Sequence, residues 1–576
     1  MTDKNLSFMR SLCMGNIVEE ILFPFPKVSD NERELLKTTF DSIGSWLKGR
    51  ETEFRKWDKA GELPKEFLDE MKQMGLFGFV IPESFGGVGL SSTAYSRTIQ
   101  ELCQYDGSVA ITAGAHSSIG MRGLLLFGTE AQKEKYLSKL ATGEMIAAFC
   151  LTESTAGSDA AGIKTKAIKE GEDWVLTGEK IWITNGGIAD FFTVFAKTDG
   201  PEGQMTAFIV TRDLPGVSSG PHEDKMGLRA SNTVTVSFDN VRLTKDHVLG
   251  EVGKGFKVAM KILNVGRTGL GGGSIGAMKK SIRLASQHAK TRQQFGKNIS
   301  DFGLIQQKLG HMVVECYASE AVVSMVAGLS DRGYQDYAVE AAISKVFATE
   351  CLWRTIDESL QVAGGSGYMS EYPYERIMRD CRINRIFEGT NDILRLFIAL
   401  TAMNDVGTHL KEVAQSLGSV LQEPIKGFGV LSEYARKRVT YATGIGKATM
   451  TKAHLSLKEQ VEVFEDCTKK LASFVDKLLR KYGKNIVGKQ FATRRLADIM
   501  IDLFALACVI SRVTASIEEK GLEASKKEHE ILQVFAGQVS RRVKSNFNKI
   551  DDNDDEQIIS LALDAVEKEG YQWDTI

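Results

Sequence analysis

The sequence predicts an α+β protein that is mostly α-helical. Apolar residues recur at helical spacing along most of its 576 residues, which favours long amphipathic helices. One stretch, residues 148–262, instead carries runs of β-branched and aromatic residues separated by Gly, Asn and Asp, which indicates a small antiparallel β domain. Only 9 residues are Pro and 55 are Gly, a composition that suits helices joined by specific turns rather than a disordered chain.

The order of these elements divides the chain into five predicted segments. Ser274–Thr291, Leu304–Ser330 and Tyr337–Val362 have the length and periodicity of bundle helices, and further helices follow in the last part of the chain. The predicted segments are an N-terminal helical domain (1–147), a middle β domain (148–262), a helical bundle (263–400), a basic linker (401–457) and an appended helical domain (458–576).

Net charge, cysteine spacing and hydropathy exclude several classes of protein. The formal net charge is −2, so no global basic field points to nucleic acid. The eight Cys residues form no C-x-x-C pair and no zinc-finger cluster with His, which predicts reduced thiols and no metal site. No secretory signal is visible, and Asp498 and Asp502 interrupt the longest apolar stretch, Leu496–Ile510. We therefore expect a soluble intracellular protein.

Two segments of the β domain have the residues to face a flat ligand. Phe149–Asp159 is rich in small and hydroxylated residues, which let backbone N–H groups approach a ligand closely. Trp182 and Thr184 share one strand face, so an indole that could cover a ring lies beside a hydroxyl. Taken alone, the first segment also fits an ordinary polar loop, and Trp182 also fits a side chain that fills a sheet face.

Two further segments lie at predicted helix ends. Arg292, in Thr291–Lys297, offers a fork of donors that suits a pyrophosphate. The glycines of Gln361–Tyr368 could admit a phosphate-bearing chain to the backbone. Each is also typical of a plain helix end, and Gly269–Gly273 is most simply a site of close helix packing.

Glu388 is the candidate base. It lies between the apolar pair Ile386-Phe387 and Gly389. Apolar surroundings raise the pKa of a carboxyl group toward neutrality, which makes it a competent base. A single Glu is more often a solvated surface charge, and these neighbours favour the base without deciding the matter.

In this order, the motifs resemble those of the acyl-CoA dehydrogenase family from about residue 30 to 400. The C-terminal helical block is similar to the extension of the very-long-chain branch of that family. The resemblance implies an acyl-CoA dehydrogenase-like fold: an N-terminal helical domain, a middle β-barrel, a C-terminal four-helix bundle and appended helices. The motifs that carry it are Leu151–Glu153 with Ala156–Asp159, Trp182–Asn185, Arg292–Gly296, Gln361–Gly365 and Phe387–Thr390.

The resemblance implies a chemistry. The family removes the α-proton and a β-hydride from an acyl-CoA thioester, giving the trans-2-enoyl-CoA and reduced FAD. Glu388 is then the α-proton base, its backbone N–H polarises the thioester carbonyl together with a flavin hydroxyl, and Arg267 sets the charge state of Glu388. The predicted FAD contacts are Phe149, Leu151, Thr152, Gly157, Ser158, Trp182, Thr184, Arg292, Gln294, Phe295, Gln361, Gly364, Gly365, Thr390 and Asp392. Of these, Arg292, Gln294 and Phe295 would act from a neighbouring subunit. Acyl-CoA would contact Ser158, Leu263, Asn264, Arg267, Gly389, Ala113, Gly114 and Ala115.

The segment Ala113–Ala115 predicts the length of the substrate. It matches the floor of the acyl pocket in the family, and its residues are small, so a deeper pocket for long-chain or very-long-chain acyl-CoA is expected. The alternative is that small residues here only permit close helix packing.

Residues 424–455 form the most basic part of the predicted linker. Six Lys and Arg with interspersed aromatic residues suit a peripheral contact with anionic lipid, although a solvated linker is the alternative. The resemblance supports the membrane contact, and it also implies a homodimer.

Three functions remain open from the sequence. The first is a dehydrogenase that passes electrons to electron-transfer flavoprotein, the second an acyl-CoA oxidase that uses oxygen, and the third an assembly or scaffold protein without turnover. A bacterial cytoplasmic location is expected, or a mitochondrial one if the source is eukaryotic.

Overall fold

The structure is a computed structural model that describes residues 4–198, 204–419 and 449–575, with the backbone alone for residues 407–419. The chain forms two units: Met1–Asn5 with Pro24–Ile393, and Leu6–Phe23 with Leu394–Ile576. Two short helices, α1 (Phe8–Cys13) and α2 (Glu19–Leu22), belong to the second unit. Most of the basic segment 424–455 lies outside the described residues, so its predicted membrane contact stays a prediction.

The N-terminal part of the first unit is helical, as predicted. Residues 31–55 form parts of two helices, because the chain turns at Gly49, whose φ of +88° is available to glycine at little cost. A π-helical turn, His116–Gly120, follows α7. The helices are α3 (Asp30–Leu47), α4 (Glu51–Ala60), α5 (Lys65–Gln73), α6 (Ser92–Cys103), α7 (Gly107–Ala115), α8 (Arg122–Phe127) and α9 (Glu130–Thr142).

The middle of the first unit is a seven-stranded sheet in the order β1-β4-β2-β3-β7-β6, with β5 also paired to β4. Its strands are β1 (Ala147–Cys150), β2 (Lys166–Glu170), β3 (Asp173–Thr184), β4 (Phe191–Thr198), β5 (Met205–Thr211), β6 (Val217–His222) and β7 (Thr233–Leu243).

The prediction of a purely antiparallel domain was wrong. The β1–β4 and β2–β4 pairs run parallel, while the other pairs are antiparallel. Parallel neighbours need a long connection rather than a hairpin, and alternation within one strand carries no information about the direction of its partner. No ladder among the described strands joins β5 to β6.

A helical bundle completes the first unit. Helix α10 is longer than predicted because it runs through the glycine-rich stretch 269–273. A Cβ at Gly272 would come within 2.5 Å of the backbone oxygen of Ser96, so the predicted close packing of helices is confirmed there, against α6. The elements are α10 (Gly255–Thr291), a hairpin of β8 (Gln293–Gln294) and β9 (Lys297–Asn298), α11 (Gly303–Asp331), α12 (Ala338–Ala363), α13 (Gly365–Tyr368) and α14 (Tyr374–Arg382). The next helix, α15 (Asn391–Ser419), has its first three residues in this unit and the rest in the second.

The second unit is helical, as predicted, and α17 is its most buried element. The rings of Phe474 and Phe547 stack with centroids 4.4 Å apart, and Phe8 packs on Phe504 at 5.9 Å. These contacts join α16 to α18 and α1 to α17. The helices are α16 (Lys458–Tyr482), α17 (Gln490–Lys520), α18 (Lys526–Asp551) and α19 (Asp555–Glu567).

One described helix, α11, is long and apolar enough by length and composition to cross a membrane. Its most apolar 18-residue window has a mean hydropathy of 1.5, and 78% of that window is buried. Packing inside the first unit therefore accounts for its apolar surface.

Candidate active site

A cavity lies in the first unit between α6, α7, α10 and α14. Its wall on α10 is made by residues three or four positions apart, which share one face of that helix. The lining residues include Gly266, Gly269, Gly273, Ala277 and Lys280 from α10; Tyr95, Ile99 and Cys103 from α6; Ile111, Gly114 and Ala115 from α7; and Thr184, Leu228, Arg376, Asp380, Cys381, Phe387 and Glu388.

Glu388 lies on the loop between α14 and α15. A Cβ at Gly266 would stand 3.3 Å from Oε2 of Glu388, so this glycine leaves room for the carboxylate. Oε2 is buried and accepts no hydrogen bond from the described residues. Burial raises the pKa of Glu388, and the nearby cations Arg267 and Lys345 offset part of that rise. A buried carboxylate with an open oxygen can take a proton from a ligand in the cavity.

The backbone of Glu388 contributes a second free group. Its N–H has no acceptor in the part of the chain that the structure describes, and Arg267 Nε donates to its carbonyl oxygen at 3.4 Å. Arg267 also donates through Nη1 to Asn264 Oδ1 at 2.9 Å. Burial lowers the pKa of Arg267 to about 10, and Glu388 acts in the opposite direction, so Arg267 is a cation at neutral pH. The free N–H is a donor suited to a polarised carbonyl.

Left-handed backbone conformations coincide with the predicted motifs. Trp182 has a φ of 57°, Phe295 of 53° and Glu388 of 59°, while Leu228, which lines the cavity, has a φ of 50°. Residues with a Cβ disfavour this region, and such strain concentrates at functional sites. The left-handed conformation of Trp182 comes from a register shift between Lys180 and Ile183 in the β3–β7 pair. The shift points the indole outward, where it is 64% exposed.

A buried ion pair fixes the loop between β1 and β2 to β3. Lys180 Nζ donates to Leu151 O at 3.1 Å and to Glu153 Oε1 at 2.7 Å, and both side chains are buried. The N–H of Ile181 donates to Thr152 O at 3.0 Å. The loop is therefore held one residue away from Trp182, while Phe149 packs on Phe195.

The remaining motifs lie on the surface of the first unit and do not line the cavity. Arg292 and Gln294 are exposed on the hairpin after α10, where Phe295 is 92% exposed. Gln361, Gly364 and Gly365 are exposed at the end of α12, and Thr390 Oγ1 accepts the N–H of Ile393 at 3.2 Å in the first turn of α15, where Asp392 is exposed. Exposed aromatic and guanidinium groups of this kind are available to a ligand or to a second subunit.

Comparison with known families now assigns the fold. The acyl-CoA dehydrogenase N-terminal, middle and C-terminal domain models match residues 41–144, 148–241 and 253–403. The model for the ACAD9/ACADV C-terminal domain matches residues 455–571. The chain belongs to the acyl-CoA dehydrogenase family. The predicted fold, with its helical, sheet and helical domains and its C-terminal extension, is thereby confirmed.

Individual relatives of this acyl-CoA dehydrogenase agree with that assignment. The very long-chain specific acyl-CoA dehydrogenase, mitochondrial, of Bos taurus is 41% identical, and the alignment covers 98% of this chain and 87% of that protein. A crystal structure of an acyl-CoA dehydrogenase complexed with FAD from Bacillus anthracis has a TM-score of 0.79 and 32% identity, covering 98% and 95% of the two chains. A chain of the structure described as the electron transferring flavoprotein of Acidaminococcus fermentans has a TM-score of 0.62 and 34% identity over 65% of this chain and 98% of that one.

This acyl-CoA dehydrogenase is an FAD-dependent oxidoreductase of fatty acid oxidation. Its residues fit the cofactor. No heavy atom lies within 4 Å of where a Cβ would stand on Gly157, Gly364 or Gly365, so three predicted contact glycines leave open space beside the backbone. Trp182 on β3 has an exposed indole, and Thr184 lines the same cavity as Glu388.

Only Gly114 and Ala115 of the eight predicted substrate residues line the cavity. The other six, Ser158, Leu263, Asn264, Arg267, Gly389 and Ala113, are not among its lining residues. Ala113 and Leu263 are buried in the apolar core, and Ser158 is exposed on the loop between β1 and β2. Asn264 reaches the site through Arg267, and Gly389 follows Glu388 with a φ of 93°.

Two groups of polar residues at the site were not predicted from the sequence. Lys345 is fully buried in α12 and binds the loop of Glu388. At the other end of the cavity, Arg376 forms ion pairs with Asp106 and Glu51, and Asp380 accepts the N–H of Leu228 at 2.6 Å. Burial, with the charge of Asp106, raises the pKa of Asp380 to about 7. Lys345 is a charge within an apolar helical pattern, which is the signal that could have found it. Arg376 and Asp380 lie in a charge-rich helix, which gives no such signal.

Proposed function

We propose that this acyl-CoA dehydrogenase oxidises long-chain or very-long-chain acyl-CoA to the trans-2-enoyl-CoA, with Glu388 as the base that takes the α-proton. The observation that carries the proposal is the buried Oε2 of Glu388, which has no partner among the described residues and opens into the cavity along α10.

The cavity has the length for a long acyl chain. Its lining on α10 extends from Gly266, beside Glu388, to Lys280. A helix rises by about 1.5 Å per residue, so these fourteen steps span roughly 21 Å. One leaflet of a bilayer core, which one acyl chain spans, is about 15 Å thick. A chain of the length found in membrane lipids therefore fits between Glu388 and the charged end at Asp380.

Glu388 and Arg267 would have separate roles at the reacting carbons. The N–H of Glu388 donates to the thioester carbonyl, which makes the α-proton more acidic. The carboxylate of Glu388 then takes that proton, and Arg267 holds the carbonyl of Glu388 in place. Oε2 of Glu388 is buried, so the carboxylate is poorly solvated there. When bound, FAD supplies the acceptor for the β-hydrogen, which leaves with its electron pair.

The cofactor contacts are proposed on the predicted residues. Trp182, Thr184 and the loop from Phe149 to Ser158 would hold the isoalloxazine ring. Arg292, Gln294 and Phe295 would reach the FAD of a second subunit in a homodimer, which accounts for their exposure in the single chain. The remaining predicted contacts are Gln361, Gly364, Gly365, Thr390 and Asp392. Light scattering tests the dimer, and a monomer that keeps FAD would remove this role of Arg292.

The proposed physiological electron acceptor is an electron-transfer flavoprotein. The resemblance to a chain in the Acidaminococcus fermentans structure supports it. Mixing the acyl-CoA-reduced enzyme either with electron-transfer flavoprotein or with oxygen separates the two acceptors. Faster reoxidation by oxygen would make the chain an oxidase.

Location and membrane contact remain proposals. The mitochondrial relative from Bos taurus supports a mitochondrial location in a eukaryote, and the Bacillus anthracis structure supports the cytoplasm in a bacterium. A peripheral contact through residues 424–455 would bring the enzyme to its lipid substrate. Flotation with anionic vesicles checks the contact, and binding that survives deletion of 424–448 would contradict it.

Anaerobic titration with acyl-CoAs tests the function. The flavin absorbance of the holoenzyme should bleach, and the second-order rate should rise from butyryl-CoA through octanoyl-CoA to hexadecanoyl-CoA, because each buried methylene contributes about 0.8 kcal/mol. An oxidised flavin that none of these substrates bleaches would favour the scaffold function. Bleaching that is strongest with butyryl-CoA would contradict the proposed chain length.

Replacing Arg267 by Met should move the acid limb of the rate–pH profile to higher pH. Arg267 lowers the pKa of Glu388, so its loss leaves less of the base ionised at neutral pH. Since the carboxylate is the active form, the lost rate should return as the pH rises. Arg267→Lys keeps the charge and should leave the limb near that of the wild type. A limb that does not move in Arg267→Met would remove this electrostatic role.

A further inference from the structure

The backbone that carries Glu388 is strained. Glu388 has a φ of 59° and Gly389 a φ of 93°. The first of these values is disfavoured for a residue with a Cβ, and such conformations persist only where the surroundings hold them. Something outside the loop must therefore fix residues 388 and 389.

Helix α12 supplies that support on the C-terminal side of Glu388. Lys345 Nζ donates to Gly389 O at 2.8 Å and to Asn391 Oδ1 at 2.7 Å. The Lys345 side chain is fully buried, so these charge-assisted bonds form away from water, where they are strong. The ammonium group thus binds the carbonyl of the residue that follows Glu388.

Two further residues of α12 complete the support. Asn391 Nδ2 donates to Thr349 Oγ1 at 3.0 Å and to Glu350 Oε1 at 2.9 Å. Glu350 also forms an ion pair with Arg385 at 3.2 Å, on the N-terminal side of Glu388. Lys345, Thr349 and Glu350 lie four and five positions apart, on one side of the helix. The loop is therefore tied to α12 on both sides of its strained residue.

We propose that Lys345 is a positioning residue for α-proton abstraction, which holds the loop so that the carboxylate and the N–H of Glu388 both face the acyl-CoA thioester. The inference rests on the proposed function, because it takes Glu388 as the base. Lys345 does not touch substrate; it acts through Gly389 and Asn391.

Lys345 also acts on the charge of Glu388. Burial raises the pKa of Glu388, and two nearby cations lower it: Arg267 on α10 and Lys345 on α12. The other charged groups of the cavity, such as Lys280 and Asp380, line its far end on α10 and α14. Loss of Lys345 should therefore misplace the base and also leave it protonated to a higher pH.

The test is the Lys345→Met holoenzyme in anaerobic single-turnover reduction by hexadecanoyl-CoA, followed through the flavin band across neutral pH. Met has similar length but neither charge nor donors. The limiting rate should fall about 10-fold to 100-fold, as expected for a misplaced base. The dissociation constant should change by less than about threefold, since the cavity walls are intact. The acid limb should move to higher pH, with FAD content unchanged.

Two further variants separate positioning from charge and from packing. Asn391→Leu keeps the ammonium but removes one of its acceptors, so the rate should fall while the acid limb stays in place. Ser359→Ala is the matched control, because Ser359 Oγ donates to Ser281 O at 3.0 Å and is buried on the same helix without touching the loop. It should keep the wild-type rate and pH profile. If Lys345→Met does not fold, Lys345→Gln, a shorter neutral donor, should show the same shift of the limb.

A wild-type limiting rate and pH profile in Lys345→Met would overturn the inference, even if the variant melts at a lower temperature. A Glu388→Gln sample measured in parallel separates the two claims. If Glu388→Gln is inactive and Lys345→Met behaves as the wild type, the inference about Lys345 alone fails. If Glu388→Gln is still reduced rapidly, the proposed base itself is wrong.

Discussion

Glu388→Gln is expected to lower the rate of flavin reduction by acyl-CoA by about 10³-fold or more, within the range that a positioned general base contributes. Gln has the shape of Glu but its amide does not accept a proton at neutral pH. The cavity is unchanged and the backbone N–H of residue 388 is retained, so acyl-CoA should still bind and FAD should stay in place. The measurement is anaerobic stopped-flow absorbance with hexadecanoyl-CoA.

Glu388→Asp gives the matched control. Aspartate keeps the carboxylate but withdraws it by one methylene from the space beside Gly266. Misplacement of this size can cost about 10²-fold, so this variant should fall between the wild type and Glu388→Gln. A Glu388→Gln variant with a rate near that of the wild type would show that another group takes the proton.

Asp380 is the other cavity carboxyl group with a raised pKa, of about 7, so the pKa alone does not choose the base. Position does. A Cβ at Gly107 would stand 3.5 Å from Asp380 Oδ2, which places this carboxyl at the start of α7, whereas Glu388 lies against Gly266 on α10. Of these two carboxyl groups, only Glu388 combines an open carboxylate oxygen with an unbonded N–H among the described residues, and the two groups serve the α-proton and the thioester carbonyl together.

The sequence predicted α11 and α12 to within one residue at each end, because each is long enough for its periodicity to be unambiguous. The apolar neighbours of Glu388 favoured a base without deciding it, the resemblance to the family assigned it that role, and burial does raise its pKa. These features depend on local pattern, which a single sequence contains.

Features that depend on residues far apart were not predictable. Lys345 and Gly389 are 44 positions apart, and nothing local to either shows that one binds the other. The parallel pairing of β1 with β4 likewise depends on how the chain returns after Cys150. The rotation of α7 also escaped prediction: Gly114 faces the cavity while Ala113 faces the core, and three consecutive small residues do not reveal which of them points inward.

The orientation of Gly114 leads to a second prediction of a large effect, on the kcat/KM for a long acyl-CoA. A Cβ at Gly114 would meet no heavy atom within 4 Å, so a larger side chain there enters the acyl cavity rather than the core. Gly114→Leu should therefore leave the fold intact, and Leu favours a helix interior over Gly by roughly 0.5–1 kcal/mol. The Leu side chain would take the space of about three methylenes of a long acyl chain. At about 0.8 kcal/mol each, the loss is roughly 2.4 kcal/mol, or about 50-fold in kcat/KM for hexadecanoyl-CoA.

Substrates that do not reach Gly114 should escape this loss, so the kcat/KM for butyryl-CoA should stay within about twofold and the chain-length preference should shift downward. Gly537→Leu is the matched control, because Gly537 is also helical, in α18, and a Cβ there would make only an ordinary contact of 3.5 Å with Arg541. It should leave the preference as in the wild type. Equal losses with both substrates in Gly114→Leu would mean that Gly114 supports the reacting end of the cavity. No loss with either would mean that the acyl chain follows a path away from α7, and the depth of this cavity would then not set the chain length.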